Sequence, residues 1–239
     1  MTSSSGSEPL TSQTEQLVAR LRSSILELDL APGAVLTERG LESAFAASRT
    51  PVRAALGTLF GEGLVQREGR NGRGWIVAPI DVDQIRELAE LREAVETAAV
   101  RLAVARASAL QIDELGALLE GTRGDVAESE SAGVRAGHDF HVSLAALSGN
   151  ALMTESVRDA MNRLARTRFL EVRTPESRAH AWSEHRAVLD AVAARDADLA
   201  ARLVGDHIRA TNERLVAFLT AERRRLRGHG LSIVDTRTA

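Results

Sequence analysis

The run from residue 37 to residue 78 leaves few folds open. Residues 37–47 (TERGLESAFAA) read as a short amphipathic helix with Thr37 at its N-cap. A tight turn leads to residues 48–60 (SRTPVRAALGTLF), a second short helix. Ser48 can cap it, because a hydroxyl can accept from the free amides of the first turn. Pro51 is tolerated there since first-turn amides have no intrahelical partner. Arg49, Thr50 and Arg53 then crowd one helix end, away from Val52, Leu56 and Leu59. After Gly61-Glu62-Gly63 come two strand-like runs, residues 64–68 and 74–78, joined by the basic, glycine-rich tip GRNGR at 69–73. Helix, turn, helix and basic hairpin predict a winged helix-turn-helix.

These residue types suit DNA. A helix N-terminus offers free amide donors and positive dipole to phosphate. Arginine can grip a guanine edge bidentately, and short hydroxyls fit base edges or backbone. Residues 48–75 carry five Arg (49, 53, 67, 70, 73) against two Glu (62, 68), so this stretch is basic although the chain's net charge is −3. A small basic face can serve sequence-specific binding while the remainder repels DNA.

The motif also resembles that of GntR-type regulators: Pro32-Gly33, Leu36-Thr37-Glu38-Arg39, Ser48 through Leu56, and Glu62-Gly63-Leu64-Val65. The resemblance implies operator contacts at Arg39, Ser48, Arg49, Thr50 and Arg53. It places Gly72 and Arg73 at a wing tip that enters the minor groove. Ala54 stands where relatives usually have Glu, and Gly40 and Glu42 are unusual.

Beyond residue 80 the pattern turns wholly helical. The 239 residues allow two modest domains. With 3% aromatic residues, no Tyr and 44% hydrophobic residues, the composition is that of a helix-rich soluble protein. There is no Cys, no membrane-length apolar run and no signal-peptide core, so the expected location is cytoplasmic. Residues 1–10 read as disordered, 11–79 as the DNA-binding domain, 80–227 as a bundle of about six helices, and 228–239 as a flexible tail. Ser12-Gln13-Thr14-Glu15 is a capping-box pattern opening a helix to about Leu28. Asp81, Ser108 and Thr174 (followed by Pro175) are further helix starts. Breaks are predicted near Ser131–Gly133, Ser148-Gly149-Asn150, Thr174-Pro175-Glu176 and Arg195-Asp196, with no strand after Ala78. The fold class is therefore mainly α: an N-terminal winged helix-turn-helix with a short β-hairpin wing, and a C-terminal all-α effector bundle.

Histidine forms the second constellation. His141, His185 and His207 fall in three separate predicted helices, on or near their apolar faces. Three converging imidazoles would make ligands for zinc, nickel or a similar divalent ion, although scattered histidines are also common in cores. Leu91 through Glu96, Phe140-His141 with Leu147 through Asn150, Glu184-His185-Arg186 and Asp206-His207-Ile208 resemble the FCD effector domain of FadR-subfamily GntR regulators, with a VanR-like six-helix variant open. That resemblance implies His141, His185 and His207 as metal ligands. The fourth ligand is usually an Asp one turn before the first His, where this chain has Gly137. His138 could substitute, as could water. Arg92 matches an arginine that faces the pocket and could grip a carboxylate; an ion pair with Glu96 at i+4 is the alternative.

The expected function is a ligand-responsive transcriptional regulator, a repressor by family habit. A homodimer would bind a palindromic operator and respond to a small organic or sugar acid. Two alternatives stay open. A histidine-site metalloenzyme would turn over a substrate without any operator, and a non-specific architectural DNA binder would show salt-dependent binding without sequence preference.

Overall fold

The computed structural model describes residues 13–26, 28–68, 74–172, 174–228 and 232–234. The chain divides into two compact units, residues 1–78 and 79–239.

In the first unit, α1 (Gln13–Leu26) packs on α3 (Arg49–Gly61), with β1 (Val35–Leu36) and α2 (Glu38–Phe45) between them in sequence. Leu17, Leu21 and Ile25 of α1 meet Val52, Leu56 and Leu59 of α3 in one apolar core. These are the 3.6-period apolar positions of each helix, and their burial is what fixes α3 with its opposite face outward. Thr37 caps α2 by accepting from the Gly40 amide. Ser48 sits at the cap position of α3 with extended backbone, yet its side chain accepts no capping bond. Ser12 lies outside the described residues, and α1 ends at Leu26 rather than near Leu28.

Gly63, with φ of 71°, reverses the chain after α3, a conformation other residues rarely adopt. β2 (Val65–Glu68) and β3 (Gly74–Val77) then pair antiparallel from Val65↔Val77 to Glu68↔Gly74, and β1 joins on the far edge of β3. Trp75 anchors this hairpin in the core, with the Arg67 guanidinium 3.7 Å from its ring centroid. The loop at 69–73 lies outside the described residues.

The second unit opens with β4 (Ile80–Asp81) and contains α4 (Val82–Arg106), α5 (Ala109–Gly121), α6 (Arg123–Glu128), α7 (Glu130–Ala146), α8 (Ala151–Glu171), α9 (Pro175–Ala193) and α10 (Ala197–Gly228). No helix among the described residues is long and apolar enough to cross a membrane. Asp81 caps α4, and Ser108 and Thr174 close capping boxes with Gln111 and Ser177. The expected break at Ser131–Gly133 falls instead at Ser129, which caps α7 by accepting from Ala132. Gly133 lies inside that helix for a packing reason: a Cβ there would come within 2.9 Å of the Arg178 side chain.

One further correction concerns strands. β5 (Ile233–Val234) pairs in parallel with β4, and the Ile80 amide donates to Ser232 O at 2.9 Å. Ile80 and Ile233 are buried with Leu215 and Leu219. Residues 232–234 are thus stitched to the start of α4, contrary to the expectation of no strand after Ala78; residues 229–231 and 235–239 lie outside the described residues. Two residues per strand are too few to show an alternating pattern, so periodicity carries no sign of them. Replacing Ile233→Ala should lower the stability of the helical unit by about 2–5 kcal/mol in urea unfolding of the full chain. A change below about 1 kcal/mol would mean that this segment is not packed as described.

Candidate functional sites

The first site is the outer face of α3. Arg49 and Arg53 stand one turn apart, their side chains 70% and 65% exposed. Glu38, at the start of α2, accepts from both: Arg49 Nε to Oε2 and Arg53 Nε to Oε1, each at 2.9 Å. The hydrogen bond from Arg49 is the main cause that holds the Glu38 carboxyl below its ordinary pKa; burial opposes it, and the bond from Arg53 adds to it. Each arginine is gripped through Nε, and its Nη nitrogens are the donors that could fork a base edge. Arg39, Ser48 and Thr50 are exposed beside them. Gly72 and Arg73 lie outside the described residues. Since Ser48 does not cap α3, its hydroxyl and the free first-turn amides are available to a phosphate.

The second site is buried in the helical unit. His141 (α7), His185 (α9) and His207 (α10) each offer a ring nitrogen, and the three nitrogens lie within 4.8 Å of one another. His185 Nε2 and His207 Nε2 are 3.3 Å apart, close to the ~3.3 Å between two nitrogens bound tetrahedrally to one zinc ion at the usual Zn–N length. His141 Nε2 is buried without a hydrogen-bond partner. His141 Nδ1 meets Glu96 Oε2 at 2.6 Å, and His207 Nδ1 meets Glu184 Oε2 at 2.8 Å. In each pair Nδ1–H donates to the carboxylate, which directs the Nε2 lone pair inward. The His185 ring stacks on Phe140 with centroids 4.4 Å apart.

Burial drives the pKa of His141 and His185 well below that of free imidazole, with the charge of Arg92 adding to the effect on His141 and that of His207 to the effect on His185. Burial also lowers His207, against the pull of Glu184. All three rings are therefore neutral at neutral pH, the form that binds metal. The orphaned nitrogen, the spacing and the carboxylate-backed Nδ1 groups fit a divalent ion. Zinc or a zinc-like ion would be held by His141, His185 and His207, and its chemistry there would be to polarise and fix an oxygen ligand.

Two expectations change. His138 does not join the cluster: its ring nitrogens face Asp139 Oδ1 at 3.1 Å and Asn162 Oδ1 at 3.2 Å. Three residues along a helix turns a side chain by about 300° rather than a full circle, and that offset aims His138 at α8. Arg92 makes the i+4 pair, its Nε donating to Glu96 Oε1 at 2.7 Å with both side chains buried. Its Nη2 is buried with no partner among the described residues.

Residues 13–77 match the family model for bacterial regulatory proteins of the gntR family, and residues 87–210 match the FCD domain, the latter alone covering just over half of the chain. The chain belongs to the GntR family. Among its relatives, an HTH-type transcriptional regulator from an unstable DNA locus of Streptomyces ambofaciens is 35% identical over 192 residues, 80% of each chain. The HTH-type regulator BphR of Paraburkholderia xenovorans (strain LB400) is 30% identical over 201 residues, 81% of each. A solved GntR regulator from Rhodococcus sp. RHA1 shares the fold, with a TM-score of 0.71 at 24% identity over 87% of this chain and 99% of that one.

In this GntR regulator, sequence reasoning missed three residues of the helical site. Glu96 was seen as a partner for Arg92, but its bond to His141, 45 positions away, has no local signal. Glu184 precedes His185 yet serves His207 across the helix pair. Arg168 is buried on α8 and lines cavities shared with His185 and His207. The spacing of Gly133 and Gly137 on α7 was the one clue to it, since a bare helix stripe admits a long side chain from a neighbour.

Proposed function

We propose that this GntR regulator is a ligand-responsive, sequence-specific DNA-binding repressor acting as a homodimer on a palindromic operator. Its FCD domain takes a small organic or sugar acid with the help of a divalent metal. Arg49 and Arg53 read base edges from the major groove, and Ser48, Thr50 and Arg39 hold phosphates or adjacent bases. His141, His185 and His207 hold the metal, and the acid binds beside it. Ligand binding shifts the population toward a geometry that no longer matches the half-site spacing, which releases DNA.

The observation that carries the effector half of this reading is the buried, partnerless His141 Nε2 facing two further imidazoles. A cavity of about 200 Å3 next to His207, lined also by Arg168, His180, Thr211 and Arg214, has room for a small acid.

His185→Ala tests it. Elemental analysis should find one divalent ion per parent chain and almost none in the variant. Small carboxylates with Zn2+ should raise the melting temperature of the parent alone, and operator affinity without ligand should match in the two. Equal metal content in both proteins would remove the metal from the account.

A further inference from the structure

A face that meets DNA gains nothing in bulk affinity from a carboxylate, yet one stands between the two exposed arginines of α3. That helix has no Asp or Glu of its own between residues 49 and 61. The acid comes from α2, whose first residue is Glu38, directly after the Thr37 cap. There it accepts from Arg49 and Arg53 at once, each through Nε at 2.9 Å. Glu38 is 20% exposed, and both guanidinium side chains are largely open to solvent. Glu42, one turn further along α2, adds its charge to that felt by Arg49.

The hydrogen bond from Arg49, joined by that from Arg53, keeps the Glu38 carboxyl below its ordinary pKa, so it is ionised at neutral pH. A helix N-terminus favours the same charged form. Ion pairs as exposed as these add little to folding, so stability does not explain why one acid grips two arginines.

Phosphate and base compete for the same side chains. Phosphate is charged, recurs along every duplex and carries no sequence information. A guanine edge is neutral and takes two donors from one guanidinium. An arginine has a side fork, Nε with one Nη, and an end fork made of the two Nη groups. With Nε–H bonded to Glu38 the side fork is closed, and the end fork is the one left for DNA. The three groups together also carry one net positive charge rather than two. Attraction to phosphate falls with that net charge, whereas a bidentate base contact is short-ranged and depends on the Nη donors.

We propose that Glu38 sets the selectivity of this face: its carboxylate makes Arg49 and Arg53 poor phosphate ligands while keeping them base readers, so the chain binds DNA at large more weakly and discriminates better. This rests on the reading of α3 above and adds the positioning residue that separates base from backbone.

The experiment compares the full chain with its Glu38→Gln and Glu38→Asp variants on two probes. One is an alternating adenine–thymine duplex, which has the phosphates and no guanine edge. The other is the set of duplexes that the parent selects from a random-sequence pool. Glu38→Gln should bind the alternating duplex about tenfold tighter than the parent at equal salt, with a slope of log affinity against log salt steeper by about one. It should gain less than about twofold on the selected duplexes, so that selectivity falls by about fivefold or more. Glu38→Asp keeps the charge and should stay within about threefold of the parent on the alternating duplex. Melting temperatures should agree among the three proteins.

A Gln variant as selective as its parent would overturn the inference and leave Arg49 and Arg53 as the readers. So would selectivity lost with no tightening on the alternating duplex, which would make Glu38 only a prop for the arginines, or an Asp variant that behaves like Gln. A parent that selects no common sequence would remove the reading of α3 itself, and this inference with it.

Discussion

Replacing Arg49→Ala and Arg53→Ala together is expected to weaken operator binding by at least about a hundredfold, with melting behaviour unchanged. The two effects separate because these side chains are largely exposed and take no part in the core that Val52, Leu56 and Leu59 form on the opposite face of α3. What they lose is specific. Glu38 holds both arginines through Nε at 2.9 Å, which orders their side chains before any DNA is bound. Fluorescence anisotropy at one fixed salt concentration reads the change, since affinity without a stated ionic strength has little meaning. A double variant that binds operator as tightly as its parent would show that another surface reads DNA. A uniform loss on all sequences would reassign the two arginines to phosphate contacts.

The second large effect is on stability. Glu96→Ala should cost about 3–5 kcal/mol, because it strands a guanidinium in the interior. Arg92 and Glu96 are 4% and 2% exposed, and Glu96 also holds His141. Replacing Arg92→Leu and Glu96→Leu together should cost clearly less, since no unpaired charge is then left behind. The same pair of changes frees the His141 ring, so metal affinity should fall in the double variant even where stability recovers. Urea unfolding with an unchanged m-value measures the first claim. A loss below about 1 kcal/mol for Glu96→Ala would mean that water reaches this pair.

Local chemistry made much of this architecture readable from the sequence. Thr37, Asp81, Ser108 and Thr174 each bond an amide two or three residues on, so their helix starts are visible within a few letters. Ser48 looks the same in sequence but leaves its cap bond unmade, which no short window reveals. Gly133 reads as a break when only its own propensity is weighed; in the folded chain it is the space into which Arg178 packs. The three histidines were legible because each lies on an apolar helix face. Glu96, Glu184 and Arg168 were not, because their roles depend on contacts between helices distant in sequence. β5 escaped for the same reason: its partner β4 lies some 150 residues earlier.

The most direct test is selection of bound fragments from sheared bacterial genomic DNA by the purified full-length chain, followed by sequencing. Recovered fragments should share a two-fold symmetric motif with half-sites about one helical turn apart, and the Arg49→Ala, Arg53→Ala protein should enrich nothing. Fragments held without a common motif, released by salt alike for the parent and the double variant, would contradict the assignment of α3 as the element that reads sequence.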